Sequence, residues 1–169
     1  IELRDILAGN GFIPIAAGAF IGEHSFSGTL GINRPDPRDM EIAFDFADKI
    51  VDKMVYEKDW HKIIEIKGEK PYRPYYQPKD SQGNPIDIRK VKPNTNNLCV
   101  NCKLCAVLCP LGSIDYDHVR EVPGTCMKCC ACIKKCPAGA KYFDDAHYLY
   151  HKEELEAQYS RRAEPEIFL

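Results

Sequence analysis

One pattern governs what this chain can fold into. Cysteine stands at 99, 102, 105 and 109, followed by Pro110, and again at 126, 129, 132 and 136, followed by Pro137. Matching positions are 27 residues apart throughout, and Pro110-Leu111-Gly112-Ser113 echoes Pro137-Ala138-Gly139-Ala140, so the segment is an internal duplication. All nine cysteines fall within Cys99–Cys136. A secreted fold spreads its cysteines to staple distant loops. Nine in one short stretch point instead to metal binding in a reducing compartment. Structural zinc takes two Cys pairs separated by about a dozen residues or more, whereas here four crowd into each motif.

The spacing has a physical reason. Three thiolates on one tight loop, Cys-x2-Cys-x2-Cys, can cap three irons of one cube. The x3 step carries the fourth cysteine into a helical turn, and the proline redirects the chain, so the fourth cysteine ligates the other cube. Two [4Fe–4S] clusters are therefore expected, one on Cys99, Cys102, Cys105 and Cys136, the other on Cys126, Cys129, Cys132 and Cys109. Cys130 is out of register and reads as a small buried apolar residue; a spare ligand is the alternative. Ala106, Ala131, Gly112, Gly139 and Ala140 let backbone approach the cores, where N–H groups can bond to sulfur. Each core with four thiolates carries about −2, which takes the formal −2 of the chain to about −6. A basic patch on a redox partner protein would then speed encounter. His147 and His151 stand at i, i+4 without a third ligand and read as surface residues.

The rest of the chain divides into three further parts. Residues 1–56 read as a piece of an α/β layer. A short helical pattern over Glu2–Ala8 stops at Gly9-Asn10-Gly11, and Phe12–Gly22 is an apolar run of strand length. Such a run fits the interior of a parallel sheet. Asp36-Pro37 marks an N-cap and first helical position. Met40, Ala43, Ala47, Ile50, Val51 and Met54 predict the buried face of a helix of about five turns. A lone strand leaves its ladder groups unpaired, so a neighbour is required: a second copy of this chain, further chain, or the connector folded back. Residues 57–97 form an extended, proline-rich connector whose Tyr72, Tyr75 and Tyr76 lay rings on neighbouring surfaces; a partner-docking patch is the alternative. Residues 98–143 are the cysteine core. In 144–169, Asp144 or Asp145 caps a closing helix to about Arg162, with Arg161 and Arg162 suiting its C-terminal dipole.

Charge balance, 23 basic against 25 acidic residues without a basic block, argues against a nucleic-acid partner. No apolar run of about 18 residues is present to cross a membrane, and no secretory signal precedes the chain. A cytoplasmic location is expected. The first residue, Ile1, suggests a piece of something longer.

Over about residues 97–143 both motifs resemble the dicluster bacterial ferredoxins without a departure in spacing. Residues 1–27 and Asn33–Ile50, together with the ending Glu164-Pro165-Glu166-Ile167-Phe168-Leu169, resemble the C-terminal part of flavodoxin–ferredoxin fusion proteins. That resemblance implies an α+β chain: a ferredoxin-like dicluster domain preceded by a partial flavodoxin-like α/β segment. In the fusion family a flavin mononucleotide (FMN) exchanges electrons with the clusters. The family's phosphate loop and first strands have no counterpart here, so FMN is expected only where that half is present. Phe20–His24 would lie at the flavin edge, or form an ordinary loop. The expected function is an electron carrier moving single electrons on two clusters, not an enzyme. The alternatives are part of a flavin-dependent oxidoreductase and a protein whose clusters are purely structural.

Overall fold

The structure, a computed structural model, describes residues 1–169. Its helices are α1 (Glu2–Gly9), α2 (Pro37–Tyr56), α3 (Leu104–Val107), α4 (Ala131–Lys134) and α5 (Ala146–Gln158). Its strands are β1 (Ala17–Ala19), β2 (Asn94–Thr95), β3 (Lys141–Tyr142) and β4 (Glu166–Phe168). The chain forms two units, one of residues 1–23, 31–75 and 161–169, the other of residues 24–30 and 76–160. No helix is long and apolar enough to cross a membrane.

In the first unit, α1 ends where Asn10 turns its side-chain amide back to the Ile6 carbonyl (2.8 Å) and Gly11 takes the left-handed conformation at φ 85°. The apolar run that follows is not the buried parallel strand that its composition predicts. Only Ala17–Ala19 is strand, and it pairs antiparallel with the C-terminal tail, Gly18 opposite Ile167. Phe12 and Ile13 stay exposed. Pro14 has no N–H to give a ladder, and three residues of tail are the whole of the partner strand. Gly18 is bare because a Cβ there would meet the rings of Phe20 and Phe46 at 2.9 and 3.0 Å.

Helix α2 begins as predicted. Asp36 accepts from the Asp39 N–H at 3.0 Å, the Asp39 carboxylate accepts from the Asp36 N–H at 2.9 Å, and Pro37 follows the cap. Its half-buried face is Ile42, Ala43, Phe46, Ile50 and Lys53, whereas Met40, Ala47, Val51 and Met54 of the predicted face are exposed. Apolar residues occupy more than one stripe of this helix, so periodicity alone does not choose among them. Arg34 grips the fully buried Asp39 with two guanidinium nitrogens and donates to the Ala163 carbonyl (3.1 Å). Arg162 reaches Asp36 at 2.6 Å. It thus serves α2's cap rather than the dipole of α5, which ends at Gln158. These guanidinium bonds, Arg162 first, hold the Asp36 carboxyl down at about 2.

Much of the connector belongs to this first unit. Ile64, 4% exposed, donates its N–H to the Pro14 carbonyl at 2.9 Å and is the unit's one buried apolar side chain. Tyr72 and Tyr75 act through their hydroxyls, on Asp5 (2.5 Å) and Glu2 (2.9 Å), rather than by laying down rings.

In the second unit, Pro78–Ile86 folds back on itself around Asp80, whose carboxylate accepts from the Gln82 and Asn84 N–H groups. β2 pairs antiparallel with β3, Thr95 opposite Lys141. Ile114, Val119, Cys130, Ala140 and Tyr148 form the buried apolar set. Asp145 caps α5, and Tyr148 lies against Phe143 (4.2 Å) and Phe26 (4.9 Å). Ser27 fixes the loop of residues 24–30 here, donating to Glu156 at 2.5 Å. His147 is exposed as expected, but His151 is buried, stacked on Tyr76 at 5.6 Å between centroids.

Candidate metal centre

The duplication in the sequence is a duplication in the backbone. Asn101 and Lys128 are left-handed at φ 53° and 58°, Lys103 and Cys130 at 66° and 57°, Gly112 and Gly139 both at 58°. Each pair is related by the same 27-residue step as the cysteines. Non-glycine residues adopt this conformation only where the surroundings over-determine it. Four such residues in two matched pairs therefore mark a loop whose path is set by what it surrounds. Short helices α3 and α4 follow the loops at matching positions. They carry the third cysteine of each motif, Cys105 and Cys132, inward.

Two cavities result. The first, partly open, is lined by Cys99, Cys102, Cys105, Cys132 and Cys136. The second is lined by Cys109, Cys126, Cys129 and Cys132, together with the ninth cysteine, Cys130. Each cavity takes cysteines from both motifs. Cys132 lines both cavities. The eight in-register cysteines all line one or both of the cavities.

The fourth cysteine of each motif is set apart by its hydrogen bonds. The Ser113 N–H points at the Cys109 sulfur at 3.2 Å, and the Ala140 N–H at the Cys136 sulfur at 3.3 Å. Burial pushes both thiols up, but the N–H donors outweigh it. Ser113, Leu111 and Ile114 act on Cys109, and Ala138 to Lys141 on Cys136, so both thiols lie below the ordinary range. At Cys105 and Cys132 burial wins instead and raises both, Cys132 to about 12. Each cavity therefore joins a thiol whose ionised form N–H donors favour to one whose ionised form burial disfavours.

Cys130 is 5% exposed, contacts the Lys128 carbonyl and the Tyr148 hydroxyl at 3.5 Å each, and packs as the small buried residue expected. Sequence reasoning did not find Lys141, whose side chain is 3% exposed beside the first cavity. A lysine one residue past a Gly-Ala pair gives no local sign of burial.

Four soft thiolates with N–H donors on sulfur are the donor chemistry of a [4Fe–4S] core. No group of three or more His, Cys, Asp or Glu side chains converges as a single ion requires; tetrahedral zinc needs four sulfurs about 2.3 Å from one point. A cube presents its irons at separate corners, so its ligands ring a cavity instead. No protein-family model, curated protein or solved structure matched the chain.

Proposed function

We propose that the chain carries single electrons on two [4Fe–4S] clusters. Cys99, Cys102, Cys105 and Cys136 would hold one, and Cys126, Cys129, Cys132 and Cys109 the other. The observation that supports this reading is the pair of similar cavities, each lined by cysteines of both motifs, Cys136 joining the first motif's three and Cys109 the second's. Such a cluster, when bound, takes up and returns one electron at a low potential. The chain's own residues supply the rest. Backbone N–H groups at Ser113 and Ala140 favour sulfur anions. Exposed Cys102 and Cys129 bring each site to the surface, where an electron can be exchanged with a partner.

The test is chemical. Anaerobically purified protein should contain about eight irons and eight sulfides per chain, and its visible absorption should bleach and return through repeated reduction and oxidation. One cluster's worth of iron, bound zinc, or clusters that do not cycle would overturn the reading.

A further inference from the structure

Across 99–114 and 126–141 the two halves of the duplication differ in charge at five aligned positions, and at one of them the lysine is both buried and on a cavity wall. The residue five past the fourth cysteine is Ile114 in the first repeat and Lys141 in the second. Both are buried, at 6% and 3% exposed, and they line opposite cavities, Lys141 the first and Ile114 the second. One position of one backbone motif therefore offers hydrocarbon to one cavity and an ammonium group to the other.

Lys141 is held by a single side-chain hydrogen bond, Nζ to the Val119 carbonyl at 2.6 Å, and Val119 also lines the first cavity. No carboxylate lies within ion-pair distance of it. A buried ammonium without a counter-charge is strongly disfavoured, so this group calls for an anion beside it.

We infer that Lys141 is the counter-cation of the cluster held by Cys99, Cys102, Cys105 and Cys136, and makes that cluster the easier of the two to reduce. The inference rests on the two-cluster reading above. An electron from an external one-electron donor adds one negative charge to the site, with no bond made or broken and no proton moved. A cation in low dielectric stabilises that added charge, and salt screens it little. The second cavity has Ile114 at this position and no lysine on its wall; the buried Lys128 of the second repeat lies off that wall, bonded to the Arg89 and Cys126 carbonyls. The electron would then rest on the first cluster whenever only one is present.

The experiment is a redox titration of the anaerobic holo-protein followed by electron paramagnetic resonance, after iron and sulfide have been counted. The wild type should show two unequal potentials. Lys141→Ile, which installs the residue the repeat itself uses at this position, should lower the higher potential and narrow the gap, equally at low and high salt. Lys141→Arg should keep the gap. Lys135→Met, which removes an exposed lysine on the same cavity, should give a smaller shift that salt abolishes. A Lys141→Ile protein with eight irons and an unchanged gap overturns the inference while leaving the two-cluster reading intact. A wild type without two clusters overturns both. If Lys141→Ile loses the first cluster, retention in Lys141→Arg upholds the charge requirement, and loss in both shows a purely steric role.

Discussion

Cys130 holds a left-handed backbone at φ 57°, is buried, and touches the Tyr148 hydroxyl through its sulfur. It lines the second cavity with Cys129 and Cys132 but stands out of the motif's register. Replacing Cys130 by alanine should leave both clusters assembled and redox-active. It should cost about 1–2 kcal/mol, because Tyr148 loses a partner and a small void opens. Loss of iron in that variant, read by metal analysis, would make Cys130 a ligand. Asp36 and Asp39 make a prediction of another kind. Guanidinium groups hold both carboxyls below the ordinary aspartate range, Asp36 at about 2. A carboxyl lower in the folded than in the unfolded chain stabilises above its unfolded value, near 4, and that contribution disappears as pH falls through the folded value. Unfolding followed by circular dichroism should show stability falling between about pH 4 and pH 2. Asp36→Asn should flatten part of that slope. At this scale the sequence was legible for the duplicated loops, whose 27-residue step the backbone repeats. It was silent on Arg34 and Lys141, whose roles depend on groups that only the fold brings near.

Among the elements, those governed by local chemistry were readable. The cap of α2 is a contact between Asp36 and Asp39, three residues apart, and α5 starts at Asp145 for the same reason. Asp145→Ala should lower stability by about 1 kcal/mol, measured by denaturant unfolding. Elements that need a distant partner were not readable. Nothing in the run Phe12–Gly22 says that its neighbour is the chain's own last residues, so it reads as a long buried strand and is a three-residue one. The wrong face of α2 has a related cause: Phe46 is chosen over Met40 by the bare Gly18, not by helical periodicity. Removing residues 161–169 should therefore speed amide exchange at Ala17–Ala19 and at Asp36–Asp39, which lose β4 and Arg162. Unchanged exchange would mean that the tail contributes nothing to that unit.

For the whole molecule, the arrangement of cysteines makes a prediction that iron counting cannot. Cys136→Ser should alter the same resonance signal as Cys102→Ser, although the two residues belong to different motifs, and Cys109→Ser should alter the signal that Cys129→Ser alters. If each motif closed on its own cluster, the pairing would exchange. The way the backbone is apportioned has its own consequence. It passes between the two units after residues 23, 30, 75 and 160, so neither unit is a continuous stretch. The polypeptide is laced rather than strung. An excised 98–143 would leave behind the loop at 24–30 whose Ser27 and Phe26 fasten to α5. A protease that nicks once near residue 75 should yield two bands in detergent but one particle on native gel filtration, since each piece still owns part of both units.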